Sequence, residues 1–88
     1  MNAQERIQAA LELKALGGHA RRLLAECVEH QGVTRSKSSK SAESLFDAGF
    51  VHIREIGDLW EPNKVQIDPA IWGEEALETL EEMEEKNA

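Results

Sequence analysis

With 88 residues the chain is one small domain, 1–88, and its 41% hydrophobic and 31% charged content fits a folded chain rather than a disordered one. No apolar run approaches the roughly 20 residues needed to span a bilayer, no signal peptide opens the chain, and the lone Cys27 leaves no internal disulfide; a cytoplasmic protein is expected. The formal charge of −7 argues against non-specific attraction to nucleic acid, but it is unevenly placed: residues 1–60 balance eight Lys/Arg against eight Asp/Glu, while residues 61–88 set nine acids against Lys64 and Lys86.

Asn2 with Glu5 three residues on fits a capping-box-like helix start. Ile7, Ala10, Leu11, Leu13 and Leu16 then predict a first helix with one broad apolar face, ending near Gly17-Gly18. A second helix is expected from about His19 to His30, with Ala20, Leu23, Leu24, Cys27 and Val28 as its apolar stripe and Gly32 ending it. Val33-Thr34-Arg35-Ser36-Lys37-Ser38-Ser39-Lys40 holds three bases and no acid. Its serines predict a loop, and Ser36, Ser38, Ser39 or Ser41 could each cap the next helix.

That third helix is the stretch around 36–48, with Ala42, Leu45, Phe46 and Gly49 at i, i+3, i+4 and i+7 on one face. Gly49 suits the left-handed residue that closes a helix. Directly after it, Val51 and Ile53 alternate with His52 and Arg54 as in a half-buried strand. Gly57-Asp58 and Glu61-Pro62-Asn63-Lys64 are turn signals, the latter with Pro at i+1 and Asn at i+2. Val65 and Ile67 supply a second strand, so an antiparallel hairpin spans about 50–68 with Leu59 and Trp60 in its loop. Asp68-Pro69 predicts the start of a last helix running to about Glu85, with Trp72, Ala76, Leu77, Leu80 and Met83 facing the core. The expected class is α+β, mostly helical: three helices, a two-stranded antiparallel hairpin and a C-terminal helix.

This order resembles that of winged helix-turn-helix modules. The segment Glu43–Ile53 looks like the end of a recognition helix running into a wing, and 68–77 like the helix that follows one. The resemblance implies a small, acidic DNA-binding regulator of transcription whose helix around 36–48 reads the major groove. Arg35, Lys37 and Lys40 would sit at the entering turn, and Arg54 and Lys64 on the hairpin would reach the flanking phosphates of double-stranded DNA. The last helix would serve as the contact of a homodimer. Two features depart from the pattern: the serine-rich link before the third helix is long, and the wing loop offers two acids and a tryptophan.

Those departures define the alternative, a protein-binding module of the same fold, such as a phage-type inhibitor or adaptor acting on a host protein. Trp60 is expected to fold back onto the hairpin; exposed, it and Leu59 would anchor a protein partner. Trp72 is expected in the core. Cys27 and His30, with His19 and His52, lack the converging spacing of a zinc site, and no metal or cofactor is expected. A nucleophilic Cys27 would need an exposed, polarised thiol, and the glutamates of the last helix read as solvated charges, so no enzyme is expected.

Overall fold

The computed structural model describes residues 2–86. The elements run α1 (Ala3–Leu16), α2 (Gly18–His30), β1 (Val33–Arg35), α3 (Lys40–Asp47), β2 (Val51–Glu55), β3 (Val65–Pro69) and α4 (Ile71–Lys86). The chain is thus α+β and mostly helical, with four helices and a three-stranded antiparallel sheet in the order β1-β3-β2.

Local chemistry sets several of the boundaries. The Asn2 side chain accepts the Glu5 N–H at 2.9 Å and caps α1. Of the four candidate serines, Ser39 caps α3, its Oγ accepting the Ala42 N–H at 3.1 Å. At the other end of α3, Gly49 takes φ +81 and donates to the Phe46 carbonyl, while Phe50 donates to Leu45, each at 2.9 Å. That pair of bonds is the Schellman closure, and the accompanying contact is between two fully buried side chains, Leu45 and Phe50. The chain then enters β2 with no intervening loop.

The expected loop at 33–40 is corrected over its first three residues. Val33, Thr34 and Arg35 pair with Ile67, Gln66 and Val65 as β1. A hairpin alone would leave one edge of β3 with open hydrogen-bonding groups, and β1 fills it. Across the sheet Val33, Ile67 and Ile53 align on the core face, and Thr34, Gln66 and Arg54 on the outer face.

The expected helix start at Asp68-Pro69 is corrected too. Both residues extend β3 opposite His52 and Val51, and α4 begins at Ile71. The Asp68 carboxylate accepts from Arg54 Nε at 3.2 Å and from Gln66 Nε2 at 3.0 Å. Ala70 makes the corner instead, donating to the Phe50 carbonyl and accepting from the Glu74 N–H, each at 3.0 Å.

The core gathers Ala10 and Leu13 of α1, Leu24 and Cys27 of α2, Leu45 of α3, Phe50, Ile67, and Ala76 and Leu80 of α4. Trp72 and Met83 pack at its margin, half-buried. Two expected faces turn differently. In α1 the buried line is Ala9, Ala10 and Leu13, leaving Ile7 and Leu11 41% and 50% exposed. In α3 Ala42 and Leu45 are buried, but Phe46 is 52% exposed. An eight-residue helix has room to bury only a narrow stripe against α2 and β2.

Gly73 fixes how closely α4 approaches. A Cβ there would stand 2.0 Å from the Phe50 carbonyl oxygen, so only glycine lets the first turn of α4 lie against the backbone that leads into β2. The hairpin and the last helix are seated on one another through that contact.

Candidate functional site

The loop that joins β2 to β3 is built from local bonds. Ile56 donates to the Lys64 carbonyl at 3.0 Å and closes its neck. Inside, Lys64 donates to the Glu61 carbonyl at 3.3 Å, forming the turn with Pro62 and Asn63 at its centre. Gly57 passes so near this turn that a Cβ would stand 2.3 Å from the Pro62 carbonyl oxygen.

The Asp58 carboxylate accepts the backbone N–H groups of Trp60 and Glu61, both at 2.9 Å. These two bonds, from Glu61 first and Trp60 second, hold the Asp58 carboxyl below the usual carboxylate range. An aspartate that bonds its own backbone two and three residues on fixes a tight turn without help from the core.

The turn carries its apolar side chains outward. Leu59 is 96% and Trp60 89% exposed. The expectation that Trp60 folds back onto the hairpin is therefore corrected: Asp58 ties the Trp60 backbone into the turn, and the indole stands in solvent. Asp58 and Glu61, on either side of Leu59 and Trp60 in the loop, are exposed carboxylates.

The five basic candidates are distributed over several surfaces. Arg35 ends the core-facing row of β1 and reaches Glu26 of α2 at 2.5 Å, with a second bond to the Thr34 carbonyl. Arg54 lies on the outer sheet face, paired with Asp68. Lys64, at the loop neck, faces Glu61 at 3.6 Å. Lys37 lines a groove with Ser38, Glu55, Pro62, Asn63 and Val65, and so meets the root of the hairpin. Lys40 is the first residue of α3 and exposed. Lys37 and Lys40 have no ion-pair partner among the described residues; the other three bases do.

The solvent side of α3 presents Glu43, Phe46 and Asp47 after Lys40. The helix the sequence marks as a reader therefore shows two acids and a half-exposed ring. Between α2 and α3 stands β1 rather than a tight turn.

Cys27 is fully buried, and burial pushes its thiol up to about 11, against a partial lowering by Arg35. Its environment keeps it protonated and unreactive at neutral pH. Among the described residues no three His, Cys, Asp or Glu side chains gather as a metal ion would require. Within the same residues no helix is long and apolar enough to cross a membrane.

Sequence reasoning placed Leu59 and Trp60 in the loop but could not see the clamp at Asp58. The Gly57-Asp58 pair was the available signal, read there only as a turn. No protein-family model, curated protein or solved structure matches the chain.

Proposed function

We propose that this chain is a non-enzymatic, cytoplasmic protein-binding module, winged-helix-like in its order, that engages a partner protein through the hairpin tip. One observation carries the reading: two adjacent large apolar side chains, Leu59 and Trp60, stand almost wholly in solvent on a loop held by its own backbone bonds. Exposed tryptophan is costly to leave in water and is the side chain most enriched among binding hot spots. Pre-fixing the loop removes part of the ordering entropy that association would otherwise cost.

The surroundings of the tip support the same reading. Asp58 and Glu61 would meet a basic rim on the partner, in keeping with the net charge of −7. Immobilised full-length chain, compared with a Trp60→Ala variant, tests this by affinity capture from its own host's lysate with identification of what is bound. The reading expects a specific protein retained by the parent and lost from the variant. The same proteins retained by both, or none by either, would defeat it.

A second reading, double-stranded DNA as ligand, draws on Lys37 at the hairpin root and Lys40 at the start of α3, both without an ion-pair partner among the described residues and in a stretch free of acids. Against it stand the three bases already held by carboxylates and the acids on α3. Anisotropy of a labelled duplex across a salt series decides between them. Binding that weakens steeply with salt and falls in the Lys37→Ala, Lys40→Ala variant would favour DNA.

A further inference from the structure

The sheet ends on β1 at one side and on β2 at the other. Hydrogen-bond alternation decides which backbone groups each edge turns outward. Phe50 accepts from Ala70 and Ile56 donates to Lys64, so in the register of β2 with β3 His52 and Arg54 bond inward. Val51, Ile53 and Glu55 therefore aim their N–H and C=O away from β3. On β3 the same alternation leaves Val65 and Ile67 to bond Arg35 and Val33, so β1 turns only Thr34 outward. The Thr34 carbonyl is already taken, accepting from Arg35 Nη1 at 3.1 Å. On β2 Val51 is buried, but the outward groups of Ile53 and Glu55 have no hydrogen-bond partner among the described residues. Sheet edges are ordinarily guarded by lysine, proline or a bulge. Val51–Glu55 holds neither residue and pairs without a break, and its one arginine is drawn across the sheet to Asp68 at 3.2 Å.

We infer that the open edge of β2 takes an extended segment of the partner protein as an added strand, paired at Ile53 and Glu55 beside the hairpin tip. The inference rests on the protein-binding reading above and names what that partner presents. Unpaired backbone donors and acceptors in alternation specify their own complement, another extended backbone. Ile56, Leu59 and Trp60, all exposed, follow Glu55 along the chain, so a segment lying on the edge leads toward the indole. Glu55 on the edge, with Asp58 and Glu61 beyond it, favours a segment that carries basic side chains. A second copy of β2 fits poorly. Within the strand, two-fold pairing sets Arg54 or Glu55 opposite itself, or else has to use Val51. The first two registers oppose like charges, and the third needs a residue that is already buried.

Short random linear peptides displayed on phage and selected against the immobilised full chain are the probe. Selected peptides should carry Lys or Arg. With one bound, the amide hydrogens of Ile53 and Glu55, followed by NMR, should exchange far more slowly than in the free chain. Glu55→Pro removes an N–H that the fold does not use, at an edge position where proline is tolerated, so its far-UV circular dichroism should match the parent's. Its affinity for the peptide should fall about tenfold or more, while Glu55→Ala, which keeps the N–H, retains most of it. The exchange measurement on the parent decides the matter without either variant. A bound peptide that leaves the exchange of Ile53 and Glu55 unchanged overturns the inference, and if Trp60→Ala weakens that peptide the tip still stands as the docking point. Slowed exchange with an affinity indifferent to Trp60→Ala supports the added strand and removes the tip. Selection of no linear peptide overturns the inference as well.

Discussion

Gly73→Ala should destabilise the fold, although the same change in an exposed helix stabilises it. In a helix interior alanine gains about 1 kcal/mol over glycine from backbone entropy. Here the new Cβ would stand 2.0 Å from the Phe50 oxygen and 2.9 Å from its carbonyl carbon. Both are backbone atoms, so no side chain can swing aside. The first turn of α4 has to retreat by more than an ångström from the start of β2, and overpacking of this kind costs about 1–3 kcal/mol. Retreat also pulls Ala70 from its 3.0 Å bond to the Phe50 carbonyl, and an orphaned buried acceptor costs about 1–3 kcal/mol more. Against the propensity gain the balance centres on a loss of about 3 kcal/mol, which in a domain of this size lowers Tm by about 12–24 °C. Urea and thermal unfolding followed by far-UV circular dichroism measure it. A variant as stable as the parent, or more so, would mean that α4 is not seated on the Phe50 backbone, and the corner at Ala70 would have to be redrawn.

Other expectations follow from single sites. Gly49→Ala should cost about 1–2 kcal/mol, read by the same unfolding assays, for a different reason: its Cβ would meet no atom within 4 Å, but φ +81 is left-handed backbone that alanine resists. Cys27 should be inert to a thiol reagent in the folded chain and react at once in denaturant. Its pKa, raised to about 11 by burial, also sets a sign: the contribution to stability is complete below the thiol's unfolded value near 9.0 and is lost as pH rises through 11. Alkaline titration of urea stability, compared with Cys27→Ala, checks that slope. Asp58→Ala should free the tip while Asp58→Asn, which can still accept both backbone bonds, keeps it fixed. In a Trp72→Phe background Trp60 is the only tryptophan, and its fluorescence anisotropy should fall in the first variant and hold in the second.

What the amino-acid sequence determines by itself is whatever short-range chemistry can close. The Asn2 cap, the glycine stop at 49 and the turn at 61–64 each depend on atoms a few residues apart, and the two strands of the hairpin show as alternating apolar residues on either side of that turn; each stands where its residues place it. The candidate tip was readable to the same extent: Leu59 and Trp60 had to lie between the strands, and Gly57-Asp58 had to turn. Their outward direction was not readable, because it depends on the Asp58 clamp and on the lack of any surface near enough to cover them. Tertiary structure alone decided the rest. Val33–Arg35 is a strand only because β3 has an open edge, and Asp68 bonds Arg54 instead of capping a helix because β2 lies beside it. The choice between Ala9 and Leu11 as the buried side of α1 was made in the same way, since both faces are apolar and periodicity cannot rank them. Such choices belong to partners distant in sequence, whose positions exist only once the chain has closed on itself, and no window of neighbouring residues contains them.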